Sequence, residues 1–237
     1  MNVCGLFGRL ATVAAHVVLL TGLAACATPT KPLTLDAAAK LHKIALLEIQ
    51  DPPEYGAANL YLEGIFLGGI VNIQHSKQFT EVLRNRGFSI STEMTDRLER
   101  ALTVAGFEVE RVKATRKPYQ ASVVSHAATT ADAILNVNVS AGYVSAHGVD
   151  DYVATVRVRA ELLENISGKE SQIYLQSLSY GYKWPLSPAV QIDASSTYSY
   201  GTFDKLMQSN VEAGEGFLKG ADLISDRLAK DIASAKH

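Results

Sequence analysis

The residues able to do chemistry in this chain are few, and most stand alone. Cys26 is one of two cysteines, and its thiol offers four roles: nucleophile, metal ligand, disulfide half, or acceptor of a covalent group. His42, His75, His126 and His147 are scattered singly, with no His-x-x-x-His or Cys/His spacing that would hold a metal ion. Asp150 and Asp151 follow His147 closely, but Gly148 intervenes and the segment reads as an exposed turn between strands. Ser125 and His126 are neighbours in sequence, which makes no dyad without a third orienting group. There is no Gly-x-Ser-x-Gly elbow and no phosphate-binding glycine loop ahead of a helix. The expectation is a chain that is not an enzyme and holds no metal.

What remains are residues suited to binding. Residues 54–75 (EYGAANLYLEGIFLGGIVNIQH) interleave Tyr61, Ile65 and Phe66 with Gly56, Gly64, Gly68 and Gly69. The apolar centre from Leu60 to Ile73 is too short to span a bilayer, and the Gly64-x-x-x-Gly68 spacing signals little outside a longer apolar segment. Two readings stand: a loop or short helix that covers the core, or an apolar surface for a partner subunit or the membrane. Residues 184–203 hold the single tryptophan, Trp184, with Tyr198, Tyr200 and Phe203 among serines. That composition suits an adaptable recognition surface or an aromatic cluster sealing a sheet edge. Arg157 and Arg159, on one face of a strand, suit an anionic ligand or a solvated face shared with Glu161.

The elements that must position these residues follow from periodicity. Lys43 to Gln50 reads as a buried strand closed by Asp51-Pro52-Pro53. Ser91 is the expected cap of a helix whose Met94, Leu98, Ala101, Leu102 and Ala105 share one face, with Gly106 as its stop. Phe107 to Val112 alternates as a strand, and a short helix is expected near 122–128. Three strands come next: Ala133 to Val144, Tyr152 to Leu163 and Gln172 to Tyr182, the last two joined by Ser167-Gly168-Lys169. Asn136, Asn138, Ser140, Thr155, Arg157, Arg159 and Glu161 fall on the water side. A helix from Phe203 to Ala213, a break around Gly214 and Gly216, and a helix carrying Phe217, Ala221, Ile224, Leu228 and Ile232 complete the chain. The order β-α-β-(α)-β-β-β-α-α predicts an α/β (α+β) fold, a single mixed sheet of about five strands covered by helices, within one domain over 41–237.

Composition fits one such core: 237 residues, 47% apolar and 19% charged, with a net charge of −2. No strong attraction to nucleic acid or to anionic lipid follows from the charge as a whole. The first 25 residues have the layout of a secretory signal, with Arg9, an apolar run from Leu10 to Leu20 and small residues after it. Leu23-Ala24-Ala25-Cys26 resembles the bacterial lipobox, in which the cysteine sulfur takes a diacylglycerol and the new amino terminus takes an acyl chain. The resemblance implies no other cofactor, and no disulfide, because Cys4 would be removed with the leader. Ala27, in place of Asp, resembles the pattern of lipoproteins sent to the outer membrane. Residues 26–40 are then the lipidated terminus and tether of a domain facing the periplasm. An ordinary signal peptide cut elsewhere, with Cys26 incidental, is the alternative.

Two further stretches resemble a known group. Thr130-Ala131-Asp132-Ala133 leading into Ile134-Leu135-Asn136-Val137-Asn138-Val139, and the turn Asn165-Ile166-Ser167-Gly168-Lys169-Glu170, are similar to signatures of certain envelope domains. The group holds the amino-terminal domain of the Tol-system propeller protein, the lipoprotein activators of penicillin-binding proteins and the curli-secretion lipoprotein. The likeness covers about residues 43–183. It implies periplasmic or outer-membrane proteins as partners, copies of the same chain among them. The chain departs from the curli protein in lacking a pair of long amphipathic hairpins, and from the activators in its short tether. Binding of a small ligand or glycan by 184–203, and a hydrolase with an unrecognised site, are the competing functional readings.

Overall fold

The computed structural model describes residues 30–60, 65–113, 129–146, 151–166, 169–184 and 187–236. Along them run α1 (Leu35–Ala39), β1 (Lys43–Leu47), β2 (Gly56–Asn59), α2 (Ile65–Asn85), α3 (Ile90–Val104), β3 (Glu108–Val112), β4 (Ala133–Ser145), β5 (Tyr152–Ile166) and β6 (Lys169–Tyr180). The chain continues through β7 (Val190–Ile192), a 3-10 turn (Ser196–Tyr198), β8 (Ser199–Tyr200), α4 (Phe203–Gln208) and α5 (Asn210–Ser234). The strands form one mixed sheet of eight in the order β3-β1-β4-β5-β6-β7, with β2 on β4 and β8 on β5. The α/β class is as expected; the three additional strands, β2, β7 and β8, are short and come from segments whose local pattern is not alternating.

β4 and β5 form the long central pair, matched from Ala133↔Glu164 to Val144↔Val153. β1 lies parallel to the start of β4 (Ile44↔Ala133) and β2 lies parallel to its end (Asn59↔Ser145), so two short strands share one flank of a long one. β1 and β3 are parallel (Lys43↔Glu108), giving the strand-helix-strand unit that the sequence predicts. Asp132 fixes this junction: its Oδ2 accepts from the backbone N–H groups of His42 and Lys43, both at 2.8 Å. Burial by itself would raise the Asp132 carboxyl, but those two donors outweigh it and hold the group below the usual carboxylate range. That is a physical reason for an aspartate just ahead of an apolar strand.

The five described helices pack on one face of the sheet, and among the described residues the other face carries no helix. The main core joins Phe79 and Leu83 of α2, Met94, Leu98 and Leu102 of α3, and Phe217, Ile224 and Leu228 of α5 to Leu135, Val137 and Tyr143 of β4 and Val156, Val158 and Leu162 of β5. On the opposite face a small cluster gathers Ala45, Leu47, Ile134 and Leu163. The stretch read as tether joins the fold earlier than residue 41. Lys31 and Leu175 exchange backbone hydrogen bonds of 2.8 and 2.9 Å, and Thr34 caps α1.

Three local expectations are corrected. α3 is capped by Ser89, whose Oγ accepts from Thr92 N–H at 3.2 Å, and not by Ser91. Ser91 is buried in the first turn, where its N–H donates to Asp51 Oδ1 at 3.0 Å and that of Ile90 to the Tyr55 hydroxyl at 3.1 Å. Gly106 does end the element, at φ +89°. At the other end of the chain, Gly214 and Gly216 do not break a helix. The break is at Ser209, and α5 runs through both glycines because aromatic rings of the sheet and loops press against them. Finally, the segment 54–75, for which a loop or short helix over the core is one of two readings, supplies the first half of the 21-residue α2 (65–85). The short helix expected near 122–128 lies outside the described residues.

Candidate functional site

Among the described residues β2 has a strand neighbour on one side only, β4, so half of its backbone needs other partners. α2 supplies them. Asn72 Oδ1 accepts from Asn59 N–H at 3.0 Å and Asn72 Nδ2 donates to the Asn59 carbonyl at 3.0 Å. Ser76 Oγ accepts from Ala57 N–H at 2.9 Å, and Thr80 Oγ1 from Tyr55 N–H at 2.9 Å. Residues 72, 76 and 80 recur every fourth position and so lie in one row along the helix. The first half of α2 therefore turns polar side chains toward the fold and leaves aliphatic ones outside. Ile70, Val71 and Ile73 are 61%, 44% and 54% exposed.

This surface lies in the 54–75 segment singled out in the sequence. Ile65 and Phe66 begin the same helix, and Tyr61 lies outside the described residues. The signal for the residues missed, Asn72, Ser76 and Thr80, is their four-residue spacing. At its rim His75 stacks on Phe203, with ring centroids 3.7 Å apart and planes 6° from parallel. Burial pushes the His75 imidazole down, with Asp204 opposing.

The aromatic residues of 184–203 separate into two places. Tyr198 and Tyr200 turn inward. The Tyr200 ring lies 5.4 Å from that of Tyr143, which in turn is 5.2 Å from Phe217, while Tyr198 sits against Gly216 of α5. The Tyr143 hydroxyl donates to the Ala213 carbonyl at 3.1 Å, and burial drives it far above the ordinary tyrosine range. These two tyrosines close the core, as the edge-sealing reading has it. Trp184 instead meets Tyr182 edge-on at 4.9 Å and lies 5.5 Å beneath the guanidinium of Arg157.

Arg157 and Arg159 are exposed on the helix-free face, beside Asn138 and Ser140 of β4, as expected. Asn136, Thr155 and Glu161, also expected in water, are buried. Glu161 does not serve the arginines: it is 5% exposed and accepts from Asn136 Nδ2 at 2.6 Å and Gln172 Nε2 at 3.1 Å. Among the described residues no three His, Cys, Asp or Glu side chains converge as a metal site. Asp151 accepts from Ser199 Oγ at 2.8 Å; His126, His147 and Asp150 lie outside the described residues, as does Cys26. No described helix is long and apolar enough to cross a membrane.

No family model and no curated protein matches the chain. Solved structures with a related arrangement include the hypothetical protein CT253 from Chlamydia trachomatis, at 11% identity and a TM-score of 0.42 over 82% of this chain and 99% of that one. A second is protein XCC0632 of Xanthomonas campestris, from the family DUF330, at 12% identity and 0.41 over 86% and 87%. A third, designated a candidate lipoprotein of Caulobacter crescentus, shows 14% identity and 0.31 over 61% and 81%. These are distant likenesses, and no functional property passes from them to this chain.

Proposed function

We propose that this chain is a non-catalytic lipoprotein of the bacterial envelope. It is fastened to the outer membrane through acyl groups on Cys26, faces the periplasm, and docks a partner protein of the envelope machinery on the first half of α2. The observation that carries the docking role is the inverted helix: Ile70, Val71 and Ile73 stand in solvent while Asn72 and Ser76 are spent on the backbone of β2. Side chains at 70 and 73 are one turn apart, so the three form a single patch at the helix start. The likeness of residues 43–183 to envelope domains that assemble with other proteins supports the same reading. The glycan alternative draws less support, because Tyr198 and Tyr200 are committed to the core.

A photo-crosslinking residue at Val71 in cells tests the docking surface. The expected result is a discrete adduct that disappears in I70D/I73D while the thermal transition stays in place; an adduct of twice the chain mass identifies a second copy as the partner. The same adducts in wild type and I70D/I73D would remove the patch from the mechanism. For the anchor, metabolic labelling with a clickable fatty acid should mark wild type and spare Cys26→Ser, and equal labelling of both would rule it out.

A further inference from the structure

Among the described residues, the helix-free face of the sheet carries two arginines that no carboxylate pairs, one of them over the Trp184 ring. Val156, Val158 and Ala160 point into the core, so Arg157 and Arg159 between them point the other way. Both are exposed, and among the described residues neither lies within ion-pair distance of a carboxylate. Glu161, the acid on the same row, is turned to Asn136 and Gln172. Ser179, paired with Arg157 across the ladder, is fully buried with a hydroxyl that has no partner, and the indole N–H of Trp184 is likewise buried without one. Two exposed cations beside a partly exposed tryptophan packed on Tyr182 make a surface for an anion at an interface between water and apolar matter, while the two buried donors lie beneath it.

The chain's own attachment says which anion. Lys31 bridges to Leu175, and Leu175 faces Glu161 across the β5–β6 ladder. The Ser177↔Arg159 and Ser179↔Arg157 pairs follow on the same strands, each about 7 Å further along. Cys26 precedes Lys31 by five residues, a reach of about 17 Å when fully extended. Both arginines thus lie within the radius that the tether allows from the membrane. The apolar patch of α2 does not: β2 ends opposite Ser145, nine residues along β4 from Asn136, roughly 30 Å away, and α2 sits on the other face.

We infer that the helix-free face, through Arg157, Arg159 and Trp184, rests on the phosphate headgroups of the membrane into which Cys26 is anchored, orienting the α2 patch away from the lipid. The inference relies on the anchor at Cys26 and adds an orientation to it. It sets a bound on the partner, which must approach from the helix side of the domain.

Trp184 is the only tryptophan in the chain, so its emission reports this face alone. The full-length acylated protein is reconstituted into phosphatidylethanolamine–phosphatidylglycerol vesicles containing a brominated lipid. Expected is strong quenching of Trp184, weak quenching in phosphatidylcholine vesicles, and loss of quenching as salt rises. Arg159→Gln, which leaves the indole untouched, should lower the docked-to-undocked ratio about fivefold, and R157Q/R159Q about thirtyfold. R159K should keep the quenching, because the charge is kept. Equal quenching in anionic and neutral vesicles, or in wild type and Arg159→Gln, overturns the inference. The mass of the amino-terminal peptide reads the anchor independently. Acylated Cys26 without quenching sinks the membrane face alone, whereas quenching with an unmodified Cys26 sinks the anchor alone.

Discussion

Asn72 on α2 and Asn59 on β2 exchange two hydrogen bonds of 3.0 Å, side-chain amide to backbone amide, so the helix replaces the strand that β2 lacks on its open side. Ser76 and Thr80 repeat the arrangement for Ala57 and Tyr55. This reverses the ordinary consequences of substitution on a helix. Ser76→Ala should cost about 1–3 kcal/mol, since it strands a buried N–H. Asn72→Ala should cost a similar amount, and both should speed hydrogen exchange at Ala57 and Asn59. Ile70→Ala and Ile73→Ala should stay within about 0.5 kcal/mol of wild type, as exposed positions do. Chemical denaturation of the four variants checks the ranking; aliphatic substitutions that cost more than the polar ones would refute it.

The glycines of α5 give a second ordering. A Cβ at Gly220 would lie 2.6 Å from Tyr180 Cδ1 and 2.9 Å from Val156 Cγ2, and one at Gly216 would meet the Tyr143 hydroxyl and lie 2.9 Å from Tyr198 Cβ. At Gly214 the nearest atom is Phe88 Cε2 at 3.1 Å, on a ring that can shift. In an unhindered helix Gly→Ala is worth about 1 kcal/mol of added stability. Here Gly216→Ala and Gly220→Ala should instead lower the melting temperature, by an overpacking cost of about 1–3 kcal/mol. Gly214→Ala should be the mildest of the three. A rise in melting temperature for Gly220→Ala would show that the helix and sheet are not held as closely as the structure has them.

These two cases mark where the sequence is legible and where it is not. The alternation of β4 and β5 identifies their inward residues because strand period depends on neighbours in the same segment, and Tyr152, Ala154, Val156 and Val158 are all buried as expected. A glycine in a helix announces only its own weak propensity. The rings that require Gly216, those of Tyr143 and Tyr198, belong to other segments, so with Gly214 the same letters read as a break. α2 is obscured for a related reason: its polar row faces inward, to the edge of a four-residue strand that is itself too short to recognise. Glu161 is misplaced because its partners Asn136 and Gln172 come from the two flanking strands. For the candidate site, the segment 54–75 is visible from composition, while the face it exposes depends on β2.

His75 predicts a dependence on pH. Stacked on Phe203 and partly withdrawn from water, its imidazole is held below the ordinary histidine value, with Asp204 pulling the other way. A base with a lowered folded-state value binds fewer protons folded than unfolded as pH falls through about 6.5, so stability should decline below that point and be fully retained above it. His75→Phe, which keeps the stack, should flatten the stability profile between about pH 6.5 and 5. An unchanged slope in that variant would assign the acid sensitivity elsewhere.

Asp132 should act in a lower window and with a different signature. Its carboxylate takes the N–H groups of both His42 and Lys43 and sits 3.9 Å from the His42 ring, tying the start of β1 to the start of β4. Although desolvation works against the charged form, the two backbone donors lower its folded-state value. For an acid with a depressed value, the contribution is present above the unfolded range near 3.9 and is lost as pH drops below it. Asp132→Ala removes the acceptor at every pH and should cost about 1–2 kcal/mol at neutrality. Asp132→Asn keeps one acceptor oxygen but no charge, and should recover part of that loss while removing the acid step. Urea midpoints for the three proteins at pH 7 and pH 3.5 check this. Convergence of wild type toward Asp132→Asn at the lower pH is expected, because protonation turns the carboxylate into a neutral acceptor of the same shape, and a constant gap between them would mean the two backbone N–H groups bind the charged and neutral forms equally.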